Sequence, residues 1–150
     1  EWHFIGRLQK IKVKYVVPWV NVIHTVDSLA LAEAISRRSP GPMGVLIQIN
    51  TGGDLNKGGV PSTEALSLAK QIHALDKLEV QGFMTLPPMT TDPEECTPFF
   101  AEVAHLAALG RAEGLPTTTL SMGMSRDYKV AIREGSTIVR IGTAIFGSRD

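Results

Sequence analysis

The sequence lacks the features that mark several classes of protein. It has one cysteine, Cys96, so it has neither an internal disulfide nor a Cys-x-x-Cys metal or redox motif. Its 15 basic and 15 acidic residues give no net charge, which removes the simplest electrostatic case for nucleic acid or an anionic membrane as a partner. No apolar run reaches the roughly 18–20 residues of a membrane-spanning helix. We therefore expect no nucleic-acid or membrane partner, and a reducing, cytoplasmic location fits the single thiol.

What the sequence does contain is enough for one globular domain. With 150 residues, of which 43% are apolar, the chain can bury a sizeable core. We expect a single domain over residues 1–150. The opening residues, EWHFIG, include no Met and no signal-peptide pattern, and they have the character of the middle of a strand. We therefore interpret the sequence as an N-terminally truncated fragment.

Short apolar runs alternate with amphipathic stretches along the chain. Strands are predicted at residues 2–5, 19–25, 45–49, 78–86, 117–122 and 138–141. Helices are predicted in four of the gaps, at residues 28–37 with Asp27 as the N-cap, at 62–75, at 93–113, and between Ser125 as an N-cap and Gly135. This alternation requires crossover connections and a parallel sheet. A doubly wound open sheet suits 150 residues, whereas a (β/α)8 barrel needs about 250.

Two of the predicted strands near the C-terminus end in turns of small residues. The first turn is MGMS at 122–125, and the second is RIGT at 140–143. Glycine lets backbone N–H groups approach an anion, and Ser125 at a helix N-terminus would add a hydroxyl donor. Because the carboxyl ends of parallel strands share one edge of a sheet, both turns should meet there. The pattern indicates a phosphate cup with Arg140 at its edge, and ordinary caps and tight turns are the alternative.

These C-terminal residues carry a resemblance to a known family. Residues 120–147, LSMGMSRDYKVAIREGSTIVRIGTAIFG, closely resemble the C-terminal signature of the pyridoxal phosphate homeostasis proteins, which are similar in fold to the N-terminal barrel of alanine racemase. The segments EWHFIGRLQKIK, HTVDSLALAEAI, VLIQINTGGDLNKGGV and GFMTLPP resemble the family's earlier strands and loops. The sequence departs from the family at Ile11, where Asn is usual, and at Gly52 and Gly53, where larger side chains are usual.

The resemblance favours the barrel over the open sheet. It implies a TIM-type (β/α)8 barrel, of which these residues form roughly strands three to eight. It also implies pyridoxal 5′-phosphate (PLP) as the cofactor and a non-catalytic role in intracellular PLP homeostasis, with PLP-dependent client enzymes as further partners. The family's Schiff-base lysine lies in a Val-Ser-Lys-type motif on the first barrel strand, and no such motif occurs here. A PLP-dependent racemase-like enzyme and an inactive phosphate-binding fragment stay open as alternatives.

The resemblance also implies roles for residues of the C-terminal turns. Ser125, Gly142 and Thr143 resemble the family's phosphate-binding groups, and Arg140 resembles the arginine that faces the pyridine nitrogen. Because a guanidinium is effectively always protonated, it donates a hydrogen bond and disfavours protonation of that nitrogen. Bound PLP would then be a poorer electron sink, which argues against transamination.

Three further residues are pocket candidates. Met84 resembles the residue that packs against the cofactor ring, and an ordinary core methionine is its alternative. Met124 and His3 are weaker candidates, and His3 also suits a core position. His24 has no second ligand at metal spacing, so we predict no metal site, and we assign no catalytic residue.

Overall fold

The computed structural model describes residues 1–54 and 57–147, so residues 55–56 and the last three residues of the predicted domain lie outside the description. The strands of the described part form one parallel sheet: β1 (His3–Phe4), β2 (Val22–Val26), β3 (Met43–Ile49), β4 (Leu78–Thr85), β5 (Thr119–Met124) and β6 (Ile138–Arg140). The α-helices between and after them are α1 (Val13–Val16), α2 (Leu29–Arg38), α3 (Ser62–His73), α4 (Thr97–Ala112), α5 (Tyr128–Arg133) and α6 (Thr143–Phe146). Short 3-10 helices, Lys10–Lys12 and Pro93–Cys96, precede α1 and α4.

The order of the strands decides between the two predicted architectures. They lie side by side as β1-β2-β3-β4-β5-β6, and every neighbouring pair is parallel. A doubly wound sheet reverses its strand order at a switch point, whereas each crossover of a (β/α)8 barrel advances by one strand in the same direction. The six strands therefore form part of a TIM-type barrel, which confirms the predicted fold class. Within the described residues, β1 and β6 are the edges of this sheet.

The two faces of the sheet bury different side chains. The larger core lies between the sheet and its helices and includes Ile23, Ile47 and Phe83, all fully buried. On the other face, Val22, Leu46 and Met84 form a separate small apolar cluster. Because successive strand residues alternate between faces, residues two positions from these can share the inner face. His24, two positions after Val22, is one polar side chain that this alternation places on the inner face, beyond the apolar cluster.

The structure corrects two helix starts and adds two short helices that were not predicted, α1 and α6. Helix α2 is capped by Ser28, whose hydroxyl accepts from the N–H of Leu31, and not by Asp27. Helix α5 begins at Tyr128, so Ser125 does not cap it, contrary to the prediction. Helix α1 was not predicted, because its run of valines also suits a strand. Tertiary packing decides there, since the one-turn spacing of Val13 and Val17 buries both side chains.

No helix in the described part of the chain has the length and apolar character needed to cross a membrane.

Candidate functional site

A cavity of about 610 Å³ opens at the carboxyl ends of the strands, which is where barrels of this type place their sites. The residues that the sequence indicated for a pocket all line it: His3, Met84, Met124, Ser125, Arg140, Gly142 and Thr143. They come from β1, from β4 and from the ends of β5 and β6, so 139 positions separate His3 from Gly142 in the chain. Parallel pairing brings them together, with Met84 opposite Ser121 and Met124 opposite Arg140 in the register.

The turn after β5 is held by a glycine and a carboxylate. Gly123 has a φ of 96°, and a Cβ at this position would lie 2.6 Å from the Cβ of Ala131 in α5. Only glycine allows this close approach of helix and strand in this conformation. The Asp127 carboxylate accepts a 2.6 Å hydrogen bond from the N–H of Met124, so it closes this turn and makes no side-chain cap to α5. The turn leaves Ser125 at the cavity rim.

Ser125 joins the two small-residue turns. Its hydroxyl oxygen accepts a 3.2 Å hydrogen bond from the N–H of Ala144, in the first turn of α6. Gly142 and Thr143 immediately precede Ala144, and both are exposed at the rim. A Cβ at Gly142 would meet no heavy atom within 4 Å, so the space beside this backbone is open. The two predicted turns therefore meet at the cavity rim, where Ser125 bonds to the start of α6 and does not cap α5.

Arg140 supplies a fixed positive charge on the cavity wall. Its Nη1 donates to Oγ of Ser121 at 2.7 Å, and its Nη2 donates to the carbonyl oxygen of Thr85 at 2.9 Å. Burial lowers the pKa of Arg140 to about 10, and the nearby Asp127 carboxylate opposes that shift. The guanidinium therefore remains protonated at neutral pH and can only donate hydrogen bonds.

A buried histidine extends this network to β1. His24 Nδ1 lies 2.8 Å from Oγ of Ser121, and its Nε2 lies 2.8 Å from Nδ1 of His3. Burial lowers the pKa of His24 to about 4, and the charges of His3 and Arg140 act in the same direction. His24 is thus neutral at physiological pH.

The sequence analysis missed Ser121 and Thr85 altogether and assigned His24 no role. Ser121 lies between Leu120 and Met122, which both belong to the large core, so strand alternation was the signal that placed it on the inner face. Nothing in the local pattern showed that its partner would be Arg140.

Part of the cavity wall is apolar. It is formed by Met84 and by the loop that follows β4: Leu86, Pro87, Pro88 and Met89. Lys57 donates a 2.7 Å hydrogen bond from Nζ to the carbonyl oxygen of Pro87, so it holds this loop from outside and does not line the cavity.

Cys96 also borders the cavity, with its Sγ 3.5 Å from Oγ1 of Thr90. The described residues contain no group of three or more potential metal ligands.

Comparison with known proteins places the chain in a family. The family model for the N-terminal domain of alanine racemase matches residues 4–150. The pyridoxal phosphate homeostasis protein of Aquifex aeolicus is 44% identical over 153 residues, covering 99% of this chain and 67% of the relative. That of Vibrio alginolyticus is 42% identical, covering 100% of this chain and 66% of the relative. The chain thus spans about two thirds of the length of these curated relatives.

Solved structures agree with the sequence comparison. PipY of Synechococcus elongatus, whose structure has PLP bound, superposes with a TM-score of 0.87 at 32% identity, covering 97% of this chain and 70% of PipY. Diaminopimelate decarboxylase from Helicobacter pylori, at 17% identity, shares the fold with a TM-score of 0.75, covering 93% of this chain and 44% of the decarboxylase. The matched residues, the strand order and the identity over the whole chain lead to one conclusion: the chain belongs to the alanine racemase N-terminal domain family and, within it, to the pyridoxal phosphate homeostasis proteins.

Proposed function

We propose that this chain is part of a protein that binds PLP and serves PLP homeostasis as a non-catalytic carrier. The observation that carries the proposal is Arg140, a guanidinium anchored on the wall of a cavity whose rim is formed by two small-residue turns. The relationship to the homeostasis proteins and to PLP-bound PipY supports PLP as the ligand.

The rim residues fit the phosphate end of PLP. The Ser125 hydroxyl oxygen already accepts from Ala144, so its own proton is available to a phosphate oxygen. The open space beside Gly142 lets an anion reach the backbone, and Thr143 adds a second hydroxyl at the same edge. We assign Ser125, Gly142 and Thr143 to the phosphate.

The wall residues fit the ring. Arg140 would donate to the pyridine nitrogen, and Met84 would supply apolar contact, with Met124 and His3 as further lining residues. Bound PLP supplies an aldehyde that condenses with amines. A charged donor at the ring nitrogen keeps that nitrogen unprotonated, which suits holding the cofactor more than activating it.

The remaining polar groups of the cavity support a carrier more than a racemase. A racemase needs a base on each face of the cofactor. His24 is held between Ser121 and His3, and Asp127 is bonded to the N–H of Met124. Delivery of PLP to client enzymes and a cytoplasmic location are parts of this proposal.

A PLP titration of the 150-residue chain, followed by absorbance and with inorganic phosphate as competitor, tests the proposal. We expect saturable binding that phosphate displaces, and a loss of about tenfold or more in affinity for Arg140→Ala and for Ser125→Ala. Arg38→Ala, on an exposed residue at the end of α2, is the matched control and should bind like the wild type.

Three outcomes would count against the proposal. If the wild type showed no saturable PLP binding, the residues that we assign to the cofactor would not bind it, and the proposed function would fail. Phosphate binding without PLP binding would favour the inactive phosphate-binding fragment. Exchange of the α-proton of alanine in deuterated water would favour the racemase-like enzyme.

A further inference from the structure

Three consecutive hydrogen bonds connect four strands beneath the cavity. They join His3 on β1 to His24 on β2, His24 to Ser121 on β5, and Ser121 to Arg140 on β6, at 2.8, 2.8 and 2.7 Å. His24 and Ser121 are 1% and 0% exposed, so water does not compete for the bond between them. A buried polar chain of this kind is costly unless every member is satisfied, and among the described residues no buried side-chain nitrogen or oxygen atom is left without a partner.

The donors in this series of hydrogen bonds determine where the shared protons lie. A guanidinium only donates, so Arg140 occupies a lone pair of the Ser121 oxygen. Of the two side chains that bond to this oxygen, only His24 can then accept the serine proton, at Nδ1. Because a buried O–H without an acceptor is costly, the favoured arrangement has neutral His24 with its proton on Nε2, from which it donates to His3 Nδ1. Each group in the chain fixes the orientation of the next.

We propose that Ser121 and His24 are positioning residues for Arg140, holding its guanidinium in place through the Nε2–H tautomer of His24. This inference rests on the proposed function, because bound PLP would supply the pyridine nitrogen to which Arg140 donates a hydrogen bond. Arg140 is a long, flexible side chain with two anchors, Ser121 and the carbonyl oxygen of Thr85. Loss of the serine leaves one anchor, about which the guanidinium can turn.

The proposal separates the two ends of the ligand. The phosphate end lies at Ser125, Gly142 and Thr143, none of which bonds to His24 or Ser121 in the structure. Loss of the hydrogen bonds between His24, Ser121 and Arg140 should therefore weaken recognition of the ring nitrogen and leave recognition of the phosphate unchanged. A general loss of packing would weaken both.

The binding test compares PLP with an analogue that has C–H in place of the ring nitrogen and with inorganic phosphate. For Ser121→Ala and His24→Phe we expect about a tenfold loss of PLP affinity, with the affinities for the analogue and for phosphate within about twofold of the wild type. Ser121→Thr keeps the hydroxyl, and His24→Asn keeps an acceptor near the position of Nδ1, so both should restore PLP binding. Thr25→Val removes another buried hydroxyl of β2, one that bonds to Gly6, and serves as the control.

Nitrogen-15 NMR of the histidine rings tests the proton order without any ligand. We expect wild-type His24 to carry its proton on Nε2 at neutral pH and to lose that fixed tautomer in Ser121→Ala. The opposite tautomer in the wild type, equal losses for PLP and its analogue, or unchanged PLP affinity in both variants would overturn the proposal. If the wild type bound neither PLP nor phosphate, the proposed function would fail, and the tautomer would decide the hydrogen-bond order alone.

Discussion

Arg140 on β6 donates a 2.7 Å hydrogen bond to Ser121 on β5, and this bond ties the last two strands together beneath the cavity. In the sheet register Arg140 pairs with Met124 and Ser121 pairs with Ile138. Arg140 is therefore not the register partner of Ser121, and its side chain extends along the inner face of the sheet to bond to the serine. The bond to Ser121 fixes the position of the positive charge in the site. That position therefore depends on the packing of both strands.

The stability of the chain should depend on pH through His24. Its pKa is lowered from 6.5 to about 4 in the folded state, so the unfolded chain binds more protons between these values. The free energy of unfolding should therefore fall as the pH drops from about 6.5 to about 4, with a contribution on the order of 3 kcal/mol from this residue. The Arg140 guanidinium and the neighbouring His3 ring, the titratable groups that face His24, both oppose its protonation. Urea unfolding at several pH values gives the free energy of unfolding as a function of pH. We expect this free energy to change less with pH in His24→Phe than in the wild type, and an identical pH dependence would contradict this assignment.

Gly123→Ala should cost more than Gly135→Ala, although both glycines have nearly the same φ, 96° and 97°. The shared backbone strain amounts to about 1–2 kcal/mol of unfolding free energy. A methyl group at Gly123 also meets Ala131 at 2.6 Å, whereas at Gly135 the nearest atom is 4.0 Å away. We expect a further loss of about 1–3 kcal/mol for Gly123→Ala, measured by urea unfolding. Equal losses for the two variants would show that α5 moves away freely.

Met84→Ala should destabilise the chain, and Met89→Ala should not. Met84 is 1% exposed in the inner apolar cluster, while Met89 on the cavity wall is 85% exposed. Truncation of a buried methionine costs about 2–5 kcal/mol, and an exposed substitution changes stability by about 0.5 kcal/mol or less. Thermal and urea unfolding of both variants measure the difference. A small effect at Met84 would mean that the inner cluster repacks.

Lys57→Met should loosen the loop that follows β4. The lost hydrogen bond to the carbonyl oxygen of Pro87 should lower the free energy of local opening by about 1 kcal/mol, which raises cleavage of this loop by a protease about fivefold. Lys129→Met, on an exposed residue of α5, is the control and should be cleaved like the wild type. Equal cleavage of all three chains would mean that the loop is held by its other contacts.

Local patterns were enough to place most of the elements and the site region. Hydrophobic periodicity predicted all six strands, and four of the helices, to within a few residues. The two small-residue turns and the family resemblance indicated Ser125, Arg140, Gly142, Thr143 and Met84, which line the cavity together with the weaker candidates Met124 and His3. The predicted helix starts were less accurate. Ser125 and Asp27 were predicted as caps because their residue types suit caps, yet the structure uses their side chains elsewhere, at Ala144 and Gly59.

The sequence by itself determined the alternation of strands and helices, the position of the glycine turns and the residue types available at the carboxyl ends of the strands. These depend on spacing along the chain, which a single sequence displays. Tertiary structure alone decided that Ser121, His24 and Thr85 support Arg140. Their hydrogen bonds join residues up to 97 positions apart, and such pairs exist only once the parallel strands have a fixed order and register.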